Sequence, residues 1–267
     1  MSKTIAIAGL GWLGKPLAQH LALLGYKVKG SVTSLSKATT LQKSGFNVFP
    51  VEISETGVTG EPQSFLNDAD VLIIMIPPGL RRNTGADHVL KMSYFLSEIT
   101  AASVNNVVLI SSTSVYDDSQ GKVSEEVLPK PTSEAGKQLL QVEQLLFNAP
   151  NLKTTIVRFG GLYGGNRQPV RYLAGRTDLS NGNAPVNLIH RDDCIRILSE
   201  IIRQEAFGKI FNAVTPQHPS KREYYSNKAR EIGLDPPKYS EEKQEIYKQV
   251  DSVNLERILN YKFKVSL

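Results

Sequence analysis

The sequence predicts an α/β fold: a doubly wound parallel sheet with helices on both faces, followed by a smaller lobe. Three observations predict it. A glycine turn joins the first strand to the first helix, short apolar runs alternate with helical segments as far as Tyr163, and residues 71–76 are all apolar. An uninterrupted apolar run is typical of a strand buried on both faces. The alternation of strands and helices predicts right-handed βαβ units.

The elements follow from the spacing of apolar residues and from the breakers between them. Strands are predicted at 4–8, 26–32, 48–51, 71–76, 107–110 and 154–158. Helices are predicted at 13–24, 37–44, 92–103 and 134–147, and Gly25 and Gly45 end the first two. Residues 164–187 are rich in Gly, Asn, Pro and Arg, and after them we predict helices at 194–203 and 221–232 around a strand at 209–213. The predicted domains are therefore 1–163 and a smaller lobe, 164–267, with part of 186–215 returning to the sheet.

Composition excludes several classes of protein. The chain has 267 residues and a single cysteine, Cys194, so no internal disulfide or cysteine-based metal centre can form, and we predict no metal site. No apolar run approaches the roughly 20 residues of a membrane helix, and we expect a cytoplasmic protein without a membrane partner. The net charge is +5, but residues 1–51 hold six scattered lysines and no acid, while all 26 acidic residues lie beyond them. No dense basic stripe is visible, so nucleic acid is not an expected partner.

The first turn has the composition of a dinucleotide site. Gly9-Leu10-Gly11-Trp12-Leu13-Gly14 matches G-x-G-x-x-G directly after a strand and at the start of a helix. The first glycine makes the tight turn, the second lets a pyrophosphate approach the backbone, and the third packs the helix on the strand. The helix N-terminus then offers N–H groups to the phosphates. We therefore predict that residues 1–163 bind a dinucleotide through Gly9, Gly11, Trp12, Leu13 and Gly14.

The second strand bears on which dinucleotide is bound. NAD sites usually place Asp or Glu about 20 residues after the glycines, where it binds the ribose 2′-hydroxyl. Residues 26–37 contain no carboxylate; they carry Ser31, Thr33, Ser34 and Lys37. This pattern favours NADP, whose 2′-phosphate a carboxylate would repel, with NAD as the alternative because no arginine is present.

Four later segments carry a family resemblance. They are Ser-Ser-Thr-Ser-Val-Tyr at 111–116, Arg-Phe-Gly-Gly-Leu-Tyr-Gly at 158–164, Asn-Leu-Ile-His-Arg-Asp-Asp at 187–193, and Phe-Asn at 211–212. Together with the glycine turn, they resemble the extended branch of the short-chain dehydrogenase/reductase superfamily, which holds nucleotide-sugar epimerases and dehydratases. The resemblance runs from about residue 4 to residue 233. It implies a Rossmann fold and a nicotinamide cofactor.

The resemblance also implies a catalytic centre, and here the chain departs from the family. The family's catalytic Ser/Thr falls on Ser112. Its Tyr-x-x-x-Lys pair falls on Ala135 and Leu139 when Gly136 and Glu143 are matched, or on Ser133 and Lys137 in a register shifted by two. Neither register supplies a tyrosine. Hydride transfer needs a group that takes or gives the alcohol proton and whose pKa lies near the working pH. The nearby substitutes are Tyr116, Tyr163, Lys137, Glu134 and His190.

The predicted site residues follow from the glycine turn, the second strand and this resemblance. The predicted catalytic residues are Ser112, Tyr116 and Lys137. Further cofactor contacts implied by resemblance or by position at strand ends are Glu52, Ile53, Ile76, Pro77, Pro78, Ser111, Phe159 and Gly160. Predicted substrate contacts, including a clamp of arginines that suits phosphate or carboxylate, are Ser114, Tyr163, Arg167, Arg171, Arg176 and His190.

The expected function is that of an atypical, NAD(P)-dependent epimerase, dehydratase or reductase. Its expected partner is a small anionic substrate such as a nucleotide-sugar. The alternative is a catalytically silent NADP(H)-binding sensor or regulatory protein, which the missing tyrosine favours. The sequence leaves the oligomeric state open.

Overall fold

The fold is built on one eight-stranded sheet. The computed structural model describes residues 2–79, 85–241 and 246–267. The strands of the sheet are β1 (Thr4–Ala8), β2 (Lys27–Val32), β3 (Val48–Ser54), β4 (Gly57–Gly60), β5 (Val71–Ile74), β6 (Asn106–Ser112), β8 (Lys153–Phe159) and β11 (Ile210–Ala213). Their spatial order is β11-β8-β6-β5-β1-β2-β3-β4. All neighbours are parallel except β4, which pairs antiparallel with β3. The predicted doubly wound parallel sheet is confirmed.

Eight α-helices are described. They are α1 (Gly14–Leu23), α2 (Leu35–Lys43), α3 (Pro62–Leu66), α4 (His88–Ala101), α5 (Glu134–Phe147), α6 (Arg191–Arg203), α7 (Lys221–Glu231) and α8 (Val253–Leu259). Within the described ranges, none is long and apolar enough to cross a membrane.

The two faces of the sheet have separate cores because successive strand residues point to opposite faces. Ile5 and Ile7 of β1 pack with α1, α6 and α8. Ala6 and Ala8 of the same strand pack with α3, α4 and α5. The strands buried in this way are the continuous apolar runs of the sequence.

The later part of the chain adds small parallel pairs beside the sheet. β9 (Gly161–Tyr163) pairs with β10 (Leu188–His190), and β7 (Gly121–Val123) pairs with β12 (Lys248–Val250). β11 joins the main sheet next to β8. Segments beyond residue 164 are therefore interleaved with the sheet and with the loop after β6.

One helix begins earlier than the pattern predicts, and another helix lies where the pattern predicts none. α4 begins at His88 rather than at residue 92, because the Asp87 carboxylate caps it by accepting from the Leu90 N–H at 2.8 Å. α8 was not predicted; its first N–H groups are held by Glu125, which lies more than a hundred residues earlier.

Candidate functional site

The glycine turn has the geometry its spacing predicts. Gly9 has φ +107°, a conformation that L side chains rarely adopt, and a Cβ there would lie 3.2 Å from the Met75 carbonyl oxygen. A Cβ on Gly14 would overlap the Gly9 carbonyl oxygen, so α1 can approach β1 only with glycine. At Gly11, by contrast, a Cβ would meet no atom within 4 Å. The first and third glycines therefore serve the fold, and the second opens a free space.

That free space lies at the N-terminus of α1. No side chain caps this helix and no acidic residue stands in its first turn. The terminal N–H groups of a helix need acceptors and favour negative charge. The diphosphate of a dinucleotide fits here, because the space at Gly11 is open, the N–H groups of the helix end are uncapped, and the first turn holds no acid.

The end of β2 offers hydroxyls and one free lysine. Ser31 is buried and its carbonyl accepts from the Leu10 N–H at 3.0 Å, which ties the strand to the glycine turn. Ser34 caps α2 by accepting from the Lys37 N–H at 3.4 Å. Thr33 and the Lys37 side chain are exposed, and α2 has no acid in its first turn.

The other predicted cofactor residues lie at the carboxyl ends of parallel strands. Glu52, exposed, and Ile53, half-buried, stand on β3, and residues 76–78 follow β5 after one intervening residue. Phe159 ends β8 with its side chain in the core, 2% exposed, and Gly160 packs against the Asn187 carbonyl oxygen. Ligands of open α/β sheets bind at this edge.

A buried polar network lies beneath the edge, between β6, α5 and β8. The Glu143 carboxylate accepts from Ser111 Oγ at 2.6 Å and from Arg158 Nη2 at 2.6 Å. Arg158 Nη1 donates to the Tyr116 hydroxyl at 2.6 Å, and that hydroxyl lies 2.9 Å from the Ser124 carbonyl oxygen and 3.3 Å from Asn212 Oδ1. Tyr116 is 1% exposed, and burial raises its pKa, although Arg158 acts in the opposite direction. The Tyr116 hydroxyl is thus held within the protein.

The start of α5 carries the segment where the family's pair would stand. Gly136 fits against the Ser114 carbonyl oxygen, where a Cβ would overlap it, and Glu143 is 2% exposed in the network. Leu139 is buried in a hydrophobic cluster that includes Val115 and Val214. Ser133 caps the helix through the Gly136 N–H at 3.2 Å, and the Lys137 side chain is exposed.

The hydroxyls after β6 also have local partners. Ser112 Oγ accepts from the Ser114 N–H at 3.2 Å and so caps the short 3₁₀ turn Thr113–Val115. Both serines are half-buried at the carboxyl end of the strand.

The three arginines of the predicted clamp have different surroundings. Arg171 and Arg176 are exposed on the 164–187 segment. Arg167 instead lies over the Trp12 ring of the glycine turn, with its guanidinium carbon 5.4 Å from the ring centroid. Arg191, which no sequence signal singled out, lies 5.5 Å from the same centroid.

Tyr163 and His190 form a second cluster where β9 pairs with β10. Their rings meet edge to face with centroids 5.0 Å apart, and burial raises the pKa of Tyr163 to about 12. His190 caps α6 by accepting at Nδ1 from the Asp192 N–H at 3.2 Å. Asp193, next along the chain, is fully buried and accepts from the Tyr261 hydroxyl and from the N–H groups of Lys264 and Val265. His190 and Asp193 therefore hold segments of chain together.

Comparison with known proteins agrees with this geometry. Residues 9–205 match the profile of a family described as NAD(P)H-binding. The chain belongs to this NAD(P)H-binding family. Over 239 residues it is 34% identical to protein YeeZ of Escherichia coli strain K12, covering 89% of this chain and 86% of that protein.

Solved structures of this fold include nucleotide-sugar enzymes. The structure of MoeE5 in complex with UDP-glucuronic acid and NAD superposes with a TM-score of 0.80 at 19% identity, covering 99% of this chain and 95% of that one. UDP-N-acetylglucosamine 4-epimerase from Bacillus cereus superposes with a TM-score of 0.79 at 17% identity, over 99% and 95% of the two chains. The fold predicted by the short-chain dehydrogenase/reductase resemblance is confirmed, as is a nicotinamide cofactor for the family.

Proposed function

We propose that this member of the NAD(P)H-binding family is an NADP(H)-binding sensor or regulatory protein that lacks the standard proton-transfer pair of its fold. One observation carries the proposal: Gly136 packs against the Ser114 carbonyl oxygen while Glu143 is buried with Arg158. Both contacts favour the register in which Ala135 and Leu139 take the places of tyrosine and lysine.

The other candidate proton-transfer groups are engaged elsewhere. The heavy atom of a general acid or base must come within about 2.6–3.2 Å of the heavy atom to or from which it transfers the proton. Tyr116 is held in the buried network, the Tyr163 hydroxyl lies 3.4 Å from the Ser266 carbonyl oxygen, and His190 caps α6. Glu134 accepts from Gln138 on the helix surface, and Lys137 is exposed. These positions favour binding over turnover.

The bound dinucleotide would supply a hydride carrier, and the chain's own residues would hold it. The N-terminus of α1 and the space at Gly11 suit the diphosphate. The absence of a carboxylate after β2, together with exposed Lys37, supports NADP(H) over NAD(H).

The ligand class is proposed from the fold and from charge. MoeE5 was solved in complex with UDP-glucuronic acid, and Arg171 and Arg176 are exposed in the segment that follows β9, from which we expect them to reach a ligand at the sheet edge. An anionic nucleotide-sugar is therefore the ligand to test beside the cofactor.

A second candidate is an epimerase, dehydratase or reductase that uses a different acid/base. The half-buried hydroxyls of Ser112 and Ser114 at the carboxyl end of β6 favour it, since hydroxyls there face the ligand edge.

Calorimetry and turnover separate the two candidates. We expect NADPH to bind more tightly than NADH at one salt concentration, and UDP-glucose or UDP-glucuronic acid to give no change in nicotinamide absorbance and no altered sugar. The variant Ala135→Tyr with Leu139→Lys should bind NADP⁺ equally well and gain measurable turnover. Turnover by the unmodified chain would favour the second candidate and refute the first, and equal or tighter binding of NADH would refute the NADP(H) preference.

A further inference from the structure

Trp12, Arg167 and Arg191 form a cationic cluster beside the glycine turn. Trp12 belongs to the turn itself, and both guanidinium groups lie within 5.5 Å of its ring centroid. Such contacts are favourable, but they bring two positive charges to one ring. In the described part of the chain, the one carboxylate paired with this cluster is that of Asp192, 3.8 Å from Arg191 Nε.

The local backbone is shaped to present the two arginines. Gly164 and Arg167 exchange backbone hydrogen bonds of 2.9 and 3.0 Å, which closes a tight turn. Gly165 has φ +56°, and a Cβ there would lie 2.8 Å from Arg191 Nη1, so the guanidinium packs directly on this glycine. Gly165 therefore makes room for the arginine at the start of α6, and Gly164 makes room for the ring of His190 before it.

The cluster has donors without an acceptor. Across the described residues, three buried side-chain nitrogen or oxygen atoms have no hydrogen-bond partner, and two of them are Trp12 Nε1 and Arg191 Nε. The nearest carboxylate of Arg191, Asp192 Oδ1, is 3.8 Å from Nε, too far for a hydrogen bond. Buried donors are costly unless they are satisfied. Two orphan N–H groups and two positive charges fit an oxyanion.

We propose that Arg167 and Arg191, oriented by Trp12, bind the diphosphate of the dinucleotide together with the N-terminus of α1. The lobe beyond residue 164 then contributes to cofactor binding directly, and the dinucleotide joins it to the sheet. This assignment rests on the proposed function, since it concerns the same cofactor site. It gives Arg167 a role other than the substrate clamp expected from the sequence.

Trp12 is the sole tryptophan of the chain, so its fluorescence reports on the cluster without any turnover. NAD⁺ and NADP⁺ are titrated against the full chain and against Arg167→Gln and Arg191→Gln, with calorimetry as a second readout. Arg222→Gln is the matched control, because Arg222 stacks on Tyr239 at 5.8 Å and loses the same charge and a similar contact. Thermal unfolding of each variant checks that it folds. Because Arg167 is exposed, Arg167→Gln keeps the test valid even if Arg191→Gln does not fold.

We expect each arginine variant to raise Kd about tenfold or more for NAD⁺ and NADP⁺ alike, the usual effect of losing one charge-assisted hydrogen bond. Arg222→Gln should change Kd less than about twofold, in line with substitutions away from a ligand. If the unmodified chain binds the dinucleotides and both arginine variants bind them as tightly, this assignment is refuted, while the proposed function is not. A loss confined to NADP⁺ would also refute it, by placing the arginines on the 2′-phosphate. An unmodified chain that binds neither dinucleotide would instead refute the proposed function.

Discussion

Replacing Gly11 with valine should separate cofactor binding from folding. A Cβ at Gly11 meets no atom within 4 Å, and no positive φ is required there. We therefore expect Gly11→Val to change the free energy of unfolding by no more than about 0.5 kcal/mol. The valine fills the space that the diphosphate would occupy at the N-terminus of α1.

The size of the effect follows from linkage. A dinucleotide at about 100 times its Kd stabilises the unmodified chain by roughly 2.7 kcal/mol. For a chain of this length, 1 kcal/mol corresponds to about 2–4 °C in Tm, so NADP⁺ should raise Tm by about 5–10 °C. The same NADP⁺ concentration should raise the Tm of Gly11→Val by no more than about 1–2 °C, which corresponds to a Kd at least about 100-fold higher.

Gly14→Ala is the matched variant, since it also adds a Cβ to the turn. That Cβ would overlap the Gly9 carbonyl oxygen, and overpacking of this kind costs about 1–3 kcal/mol even without ligand. Differential scanning fluorimetry and urea unfolding with and without NADP⁺ measure both effects. A full NADP⁺ shift in Gly11→Val would refute the placement of the diphosphate.

Three further predictions concern buried groups. Asp193→Ala leaves the donors of Tyr261, Lys264 and Val265 without their acceptor. Urea unfolding should therefore show that the free energy of unfolding falls by about 3 kcal/mol or more. Glu143→Ala leaves the buried Arg158 charge unpaired and should lower the free energy of unfolding by about 3–5 kcal/mol. Glu200→Ala breaks an exposed pair and should lower it by less than about 1 kcal/mol in the same assay. Burial, with Lys91 nearby, lowers the pKa of His88 from 6.5 to about 4, so between these values the unfolded chain binds a proton that the folded chain excludes. The free energy of unfolding should therefore fall by roughly 3 kcal/mol as the pH drops from 6.5 to about 4. Thermal melts over a pH series should show that His88→Asn does not lose this stability.

The α5 register shows how far the sequence alone reaches. The sequence shows that no tyrosine is available in either alignment of the family's pair. It leaves two alignments open: Ala135 with Leu139, or Ser133 with Lys137. The two differ by a shift of two residues, and both fall at the same helix. The choice depends on whether Gly136 or the residue two positions before it meets the Ser114 carbonyl oxygen, and only the packing of α5 against the turn after β6 shows that it is Gly136.

By itself the sequence determined the parallel sheet, most of its strands and the glycine turn. These depend on local properties: apolar runs that need burial on both faces, helical spacing, and glycines required by a backbone turn. The tertiary structure alone decided that Arg191 lies on Trp12, that Tyr116 is held by Arg158, and that Asp193 binds the C-terminal segment. Each of these contacts joins residues tens to more than a hundred positions apart. Such contacts produce no periodic pattern, since they depend on how the packed elements bring distant side chains together.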